Sequence, residues 1–309
     1  MANKKITAIC KNVNEEAFQK AVGEIPYSLT NDYMFRAVLQ ENEEVLRGLI
    51  CSLLNITNDD IKTIDITNPI VLGETIDNKS VILDLAILFN NDQRMNIEMQ
   101  VVSQDDWPER SLYYLCKDFC HLLRGQNYGD ILPLLHINIL DFILFEEHPM
   151  FYSQYRFMEN ATNHVYSGKI GINVLELKSI KLATNEDKAC KLDHWANIFK
   201  ANTWEEIKML AQNDEAAHQA ALSMYTLTGD EQVRKQCEAR ERHEMDKRSL
   251  YTQGLKQGLE QGLERGAKEQ QSHTIEAALN DGRSCADIAQ FLHISVEEVE
   301  AVKQKSTQS

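Results

Sequence analysis

Residues 83–100 read LDLAILFNNDQRMNIEMQ, and their pattern decides the fold that we expect for the chain. The run from Val81 to Phe89 is apolar apart from Asp84, and the flanking NKS and NNDQ are typical of turns. We therefore predict a strand covered on both faces, a hairpin, and a second strand at 95–102. Burying an unpaired carboxylate is costly, so Asp84 needs a partner or has a chemical role.

Side chains alternate along a strand, and this sorts the residues of the hairpin into two faces. Asp84 and Ala86 share one face of the first strand, and Glu98 and Gln100 share one face of the second. Antiparallel pairing puts Asp84 opposite Glu98 or Gln100. The other positions are apolar and are predicted to pack against helices: Leu83, Leu85, Ile87, Phe89, Met95, Ile97, Met99 and Val101.

The facing carboxylates predict a cation site, because like charges at that distance repel each other. Mg²⁺ takes one or two protein carboxylates and completes its shell with water and phosphate. Gln100 can orient a water molecule or a phosphate oxygen, but its amide cannot act as a base. The alternative is a buried ion pair of Asp84 with an arginine such as Arg110, with Glu98 and Gln100 on a solvent face.

The segments before the hairpin are predicted to be mainly helical. Residues 1–27 are interpreted as a polar, partly helical leader. Residues 29–56 have helical apolar periodicity, with Asn31 or Asp32 as the N-cap. Residues 61–74 are predicted to contain a short strand that leads into a turn.

A strand–helix–strand unit is predicted after the hairpin. Residues 105–125 should form a helix with Pro108 in its first turn and Gly125 at its end. An apolar strand follows at 132–145, and this order predicts that part of the sheet is parallel. Residues 155–180 are predicted to add one or two edge strands.

The C-terminal part is polar and helical in pattern. A four-residue glycine repeat permits either close packing of helices or a flexible linker: Gly254, Gly258, Gly262 and Gly266. Residues 274–304 resemble a helix-turn-helix with Ser284 as a cap. Its third helix begins SVEEVEAV, and these glutamates would repel phosphates, so we interpret it as a protein-interaction or oligomerisation module.

Composition excludes several classes of protein. The hydrophobic fraction is 43%, the charged fraction is 26% and no apolar run reaches the length of a membrane span. The net charge of −15 argues against a protein that coats itself with nucleic acid, although it does not exclude a nuclease. The seven cysteines form no CxxC pair and predict reduced thiols in the cytoplasm. The Cys116, Cys120 and His121 spacing favours helix packing over a metal site.

Several segments, in this order, resemble the Rpn family of recombination-promoting, transposase-related nucleases within the PD-(D/E)XK superfamily. They are LTNDYMFRAVLQENEEVLRGLICSLLNI, NPIVLGE, KSVILDLAILFNND, MNIEMQVV, WPERSLYYLCKDFCHLLRGQNYGDILPLLHINILDF and GLKQGLEQGLERG. The resemblance runs from about residue 28 to 270. It implies an α/β fold with a PD-(D/E)XK nuclease core, a mixed sheet flanked by helices, followed by an α-helical C-terminal region.

The resemblance also implies roles for the residues of the hairpin. Asp84 matches the motif aspartate and Glu98 the glutamate of the second half-motif, so both are expected to bind Mg²⁺, with Mn²⁺ or Ca²⁺ as alternatives. Gln100 stands where the superfamily name has lysine. This departure removes a positive charge and shifts the activation of water onto the metal.

Further site residues are expected on two helices. The superfamily often adds an acidic residue from the first core helix, for which the candidates are Asp32, Glu43 and Glu44, and we favour Glu43 as catalytic. Arg110 is expected to bind DNA through a phosphate or to pair with Glu98. Tyr113 and Tyr114 are expected to be packing residues.

These expectations define four regions and two functional hypotheses. The regions are a leader at 1–27, a nuclease core at 28–184, a helical extension at 185–270 and a helix-turn-helix-like module at 271–309. The first hypothesis is a cytoplasmic, metal-dependent DNA endonuclease linked to recombination, mobile elements or defence against foreign DNA, which forms a homo-oligomer through its C-terminal helices. The second is a non-catalytic or autoinhibited oligomerising interaction protein on a nuclease scaffold.

Overall fold

The computed structural model describes residues 15–70, 85–103, 106–120, 125 and 127–307. By its contacts the chain divides into two compact units, Met1–Glu244 and Met245–Ser309. The sequence-based boundary between 184 and 185 therefore lies inside the first unit, and the boundary between 270 and 271 lies inside the second.

The first unit is built on a six-stranded mixed sheet with the order β1-β2-β3-β4-β6-β5. The strands are β1 (Ile64–Ile66), β2 (Leu85–Phe89), β3 (Gln93–Gln100), β4 (Leu134–Leu140), β5 (Tyr152–Met158) and β6 (Val165–Glu176). Strands β2 and β3 form the predicted antiparallel hairpin. Strand β4 is parallel to both β3 and β6, which confirms the predicted crossover. Strand β5 lies at an edge, whereas β6 lies between β4 and β5.

Helices surround this sheet and form the C-terminal region. They are α1 (Glu15–Lys20), α2 (Asp32–Glu41), α3 (Glu43–Leu54), α4 (Trp107–Phe119), α5 (Asn185–Ala189), α6 (Leu192–Lys200), α7 (Trp204–Ala211), α8 (Glu215–Gly229), α9 (Glu231–Asn280), α10 (Cys285–Leu292) and α11 (Val296–Thr307). The prediction of Asn31 as an N-cap is confirmed, because its side chain accepts from the backbone N–H groups of Tyr33 and Met34. Asn42 ends α2 and caps α3, so the helical segment 29–56 consists of two helices.

The apolar face of the hairpin belongs to the main hydrophobic core, as predicted. Its described members are buried together with residues of α2, α3, α6 and α8: Leu85, Ile87, Phe89, Met95, Ile97 and Met99. The other face of β2 is only partly covered, because Ala86 and Leu88 are half-buried. The prediction that this strand is covered on both faces is therefore wrong for its described residues.

The N-terminal segment also packs into the core. Phe18 of α1 is fully buried, and its ring centre lies 6.3 Å from Trp204, 6.0 Å from His218 and 5.7 Å from Tyr225. Residues 15–25 therefore do not behave as a polar leader. One buried apolar residue on a short helix can hold the segment against the core when residues distant in the sequence form a surface for it.

Helix α4 differs from its prediction in two details. Pro108 lies in the first turn as predicted, but the helix ends at Phe119, well before Gly125. Tyr113 is 64% exposed, so its prediction as a packing residue is wrong. Cys116 and Cys120 are exposed free thiols and do not pack either, and His121 lies outside the described residues. All six described cysteines are free.

The described residues of the second unit form helices joined by two short turns. Helix α9 is continuous over 50 residues, so the glycine repeat is not a linker without regular structure. The second unit also contains a small core of Ile275, Ile288, Ala289 and Val299. Ser284 caps α10 by accepting from the backbone N–H of Asp287, which confirms the predicted cap. Over the described ranges, no helix has the length and apolar character needed to cross a membrane.

Candidate functional site

The sheet has a polar face that is formed at its centre by β3 and β4. Asn96, Glu98 and Gln100 alternate with the apolar residues of β3 and therefore share this face. In the parallel register with β4, Asn96 is paired with His136 and Glu98 with Asn138. We call these five residues the polar face. Their common orientation follows directly from the alternation that the sequence shows.

His136 and Asn138 are unusual members of the polar face because they are fully buried in the most buried strand of the sheet. Among the residues that the structure describes, neither nitrogen of the His136 ring and neither polar atom of the Asn138 amide has a hydrogen-bond partner. Nε2 of His136 lies 3.7 Å from Oε2 of Glu98, which is too long for a hydrogen bond. The polar face therefore contains buried polar atoms that can bind a further group.

Helix α4 lies over the polar face. Its Trp107 packs with Leu140 and Val174, whose positions in the register place them on the same side of the sheet. At the other end of α4, Oδ2 of Asp118 accepts from the Asn96 amide at 2.8 Å. The helix is thus tied to the sheet at both ends.

Gln100 and Arg110 are each held in place by local contacts. Nε2 of Gln100 donates to the carbonyl of Val102 at 3.2 Å, which sets the orientation of its amide. The Arg110 guanidinium lies 5.4 Å from the ring centre of Trp107 and 5.7 Å from that of Tyr114. Such stacking fixes the position of the flat guanidinium above the two rings.

Asp84 lies outside the described residues. Its neighbour Leu85 is the first residue of β2 and is paired with Ile97, the residue before Glu98.

The acidic candidates on the first helices are not brought together with Glu98. Glu43 begins α3, is 63% exposed and bonds to Arg47 at 2.7 Å. Helix α3 packs in the main core, on the side of the sheet opposite to the polar face. Asp32 binds Arg240 through both of its carboxylate oxygens. Burial favours the neutral guanidine, but the hydrogen bonds and charge of Asp32 outweigh burial and raise the pKa of Arg240.

The described part of the site supplies two metal-ligating side chains. Among the residues that the structure describes, no group of three or more His, Cys, Asp and Glu side chains could hold a metal ion. Glu98 and His136 are nevertheless neighbours, and within the described ranges the polar atoms of His136 and Asn138 have no hydrogen-bond partner, so these side chains are chemically suited to bind a hydrated cation.

Sequence reasoning missed His136 and Asn138, although a signal was present. LLHINIL has two polar residues at i and i+2 in an apolar strand, which is the same kind of interruption that singled out Asp84. Because the two share one face, they should have been assigned to the site together.

A comparison with family sequence models agrees with this geometry. The model described as PD-(D/E)XK nuclease family transposase matches residues 29–254, which is more than two thirds of the chain. No curated protein and no solved structure matches the chain. The matched range contains the six strands of the described sheet and helices α2 to α8, together with positions 84, 98 and 100. The chain therefore belongs to the PD-(D/E)XK nuclease family transposases, a family with a nuclease-like or transposase-like role.

Proposed function

We propose that the protein is a metal-dependent DNA endonuclease that hydrolyses phosphodiester bonds. The observation that carries this proposal is the placement of Glu98 and Gln100 on one face of β3, beside the buried His136, whose ring has no hydrogen-bond partner among the described residues. A purely structural sheet face at this position would be apolar or fully hydrogen-bonded. DNA is the proposed substrate and the cytoplasm the proposed location, in a setting of recombination, mobile elements or defence against foreign DNA.

Asp84 and Glu98 are the proposed ligands of the ion. Asp84 precedes Leu85 in the sequence, the described partner of Leu85 is Ile97, and the alternation of the sequence predicts that Asp84 and Glu98 share one face of the hairpin. Mg²⁺ is the first choice for two carboxylates with water, and Mn²⁺ or Ca²⁺ is the alternative. When bound, such an ion polarises the phosphodiester and lowers the pKa of an attacking water.

Gln100 and Arg110 position the reacting groups. The bond from the Gln100 amide to Val102 fixes its orientation, so the side chain can align a water molecule without taking its proton. Arg110, held between Trp107 and Tyr114, is proposed to bind a DNA phosphate. Glu43 has no part in this proposal, because its carboxylate is committed to Arg47 in the other layer.

Cleavage of plasmid DNA tests the proposal. Purified protein is incubated with supercoiled and linear DNA in EDTA, Mg²⁺, Mn²⁺ or Ca²⁺, with Asp84→Ala and Glu98→Gln as variants. We expect metal-dependent nicking by the wild type and a loss of at least a hundredfold in either variant, since each removes a ligand. Asp84→Ala should remain folded, whereas its unfolding would indicate a structural ion pair.

Glu176 provides a matched control for Glu98. It is a buried carboxylate on the same side of the sheet, but it accepts from Ser179 at 2.8 Å and from the backbone of Leu144 at 3.2 Å. Glu176→Gln should therefore keep the wild-type cleavage rate. Equal cleavage by the wild type and Glu98→Gln, with or without metal, would reject the nuclease and favour the interaction protein.

We also propose that the C-terminal helices form a homo-oligomer. The second hypothesis, the interaction protein, includes the same homo-oligomer. Three exposed leucines of α9 each directly follow a glycine: Leu255, Leu259 and Leu263. A Cβ atom added at any of these glycines would have no other atom within 4 Å. The leucines form an apolar surface for a second copy of the chain, and the glycines allow the backbone of that copy to come close. Light scattering should give a lower oligomeric state for a chain ending at Glu244 and for Leu259→Lys. An unchanged number of subunits in both would reject this role.

A further inference from the structure

We propose that His136 binds, through Nε2, the same metal ion as Glu98, and that this nitrogen ligand makes the site prefer Mn²⁺ over Mg²⁺. This inference rests on the proposed function, because it assumes that Glu98 holds a metal. It adds a ligand from β4, a strand that does not carry the acidic residues of the hairpin.

The first support is the burial of His136 without a partner. Its side chain is fully buried, and no described residue forms a hydrogen bond with either ring nitrogen. A buried polar group that lacks a partner destabilises the fold, so natural proteins rarely retain one without a bound water, ion or ligand. The strand around it is apolar, and a leucine or valine would fill the position at no such cost.

The second support is the distance between the two side chains. Nε2 of His136 and Oε2 of Glu98 are 3.7 Å apart. A carboxylate oxygen or an imidazole nitrogen binds Zn²⁺ at about 2.1 Å, so two such atoms on one ion lie about 3.0 Å apart at a right angle and about 4.2 Å apart in a straight line. The observed separation lies between these two values, so rotation of the side chains alone lets the two groups share one ion, although the separation is too long for a hydrogen bond.

The third support is the chemistry of the surroundings. Asn138 is paired with Glu98 in the register, is fully buried and has an amide without a described partner. An amide beside a metal ligand can bond to a metal-bound water and orient it. The polar face thus offers an imidazole, a carboxylate and an amide around one point.

The choice of metal follows from this donor set. Mg²⁺ favours oxygen ligands in octahedral geometry, whereas imidazole nitrogen suits first-row transition ions. Carboxylate and water suit both Mg²⁺ and Mn²⁺, so these ligands do not discriminate between the two ions. An imidazole in place of one oxygen ligand disfavours Mg²⁺, and the preference therefore falls to Mn²⁺. A site with Asp84 and Glu98 alone would not show this preference.

The test uses the full-length protein, freed of metal and titrated with Mn²⁺ or Mg²⁺ by calorimetry. Pulsed electron paramagnetic resonance then reports whether a histidine nitrogen is bound to Mn²⁺. The protein is made with ¹⁴N- or ¹⁵N-histidine, so that a coupling to a histidine nitrogen changes between the two samples. The variants are His136→Gln and, as a matched control, His164→Gln, which removes an exposed histidine of the first unit. Thermal melts establish that each variant is folded.

We expect a nitrogen coupling in the wild type that changes with ¹⁵N-histidine and is absent in His136→Gln. The Kd for Mn²⁺ should rise about 10–100-fold in that variant, with less than a threefold change for Mg²⁺ and no change in His164→Gln. A wild-type spectrum that is insensitive to the label, or no binding of Mn²⁺, overturns the inference. If His136→Gln does not fold, His136→Ala takes its place, and a wild-type spectrum that is insensitive to the label still overturns the inference.

The result that would reject the proposed function is different from the result that would reject the role of His136. If Glu98→Gln cleaves plasmid as the wild type does, the nuclease site is wrong whatever His136 binds. If Glu98→Gln is inactive but the histidine label has no effect on bound Mn²⁺, only the role of His136 is wrong.

Discussion

Gly48 lies where helices α3 and α8 are in closest contact, and Gly48→Ala tests this packing. A Cβ added at Gly48 would lie 2.4 Å from Cβ of Ala216 and 3.3 Å from Cζ2 of Trp195. Carbon atoms pack at about 3.5–4.0 Å, so the helices would have to separate by about 1.1–1.6 Å. Neither a methyl group on a helix nor a buried indole can rotate out of the way.

Two opposing effects set the magnitude. Alanine is favoured over glycine inside a helix by about 1 kcal/mol. Overpacking a core costs about 1–3 kcal/mol, and the short distance to a rigid neighbour puts this site in the upper half of that range. We therefore expect Gly48→Ala to lower the free energy of unfolding by about 1–2 kcal/mol.

Two further variants isolate the cause. In Gly48→Ala/Ala216→Gly the methyl group has moved from one helix to the other, so stability should return to within about 0.5 kcal/mol of the wild type. Gly229→Ala, at the end of α8, meets nothing within 4 Å and should be neutral or stabilising by up to about 1 kcal/mol.

Urea unfolding followed by tryptophan fluorescence measures these changes. All three tryptophans, Trp107, Trp195 and Trp204, lie in the first unit, so the signal reports on that unit. A Gly48→Ala protein as stable as the wild type would refute the close approach. A double variant less stable than Gly48→Ala alone would refute the assignment of the clash to Ala216.

Two more predictions concern buried polar contacts. Burial raises the pKa of Tyr152 from 10.0 to about 12, although its hydrogen bonds with Asn173 and Gln154 lower the pKa in part. Below pH 10 the Tyr152 phenol is neutral in both the folded and the unfolded protein. Between pH 10 and 12 the phenol loses its proton in the unfolded protein but keeps it in the folded protein. The free energy of unfolding should therefore fall by about 1.4 kcal/mol per pH unit relative to Tyr152→Phe. Equal slopes for both proteins in alkaline urea titrations would contradict this. Arg240→Met leaves the carboxylate of Asp32 without its bidentate partner and should destabilise the first unit by about 1–3 kcal/mol. Asp32→Asn/Arg240→Met should recover part of that loss, and simple additivity of the two changes would show that the pair is uncoupled.

The hairpin was predictable because its signals are local. Alternation in MNIEMQ assigns Glu98 and Gln100 to one face, and the turn residues NNDQ define the reversal of the chain. The cap at Asn31 and the crossover from β3 through α4 to β4 also follow from short patterns. Each of these rests on periodicity or turn chemistry within about 30 residues.

The remaining features depend on contacts between distant segments. The burial of Phe18 requires α7 and α8, whose positions no local pattern specifies. Likewise, the pairing of His136 with Asn96 is set by the register of a parallel sheet. Tyr113 and Tyr114 are adjacent in sequence, yet the rotation of a helix by 100° per residue exposes one ring and half-buries the other.

The docking of the N-terminal segment onto late helices controls when the chain can finish folding during synthesis. The Asn31 amide donates to the carbonyl of Cys237, 206 residues further on. At about 5–20 residues per second, a ribosome needs about 10–40 s to make that stretch. Until then Phe18 of α1 lacks its ring partners on α7 and α8, or the Asn31 amide lacks the carbonyl that it binds. The first unit, Met1–Glu244, therefore completes its packing only when nearly all of its residues have been made.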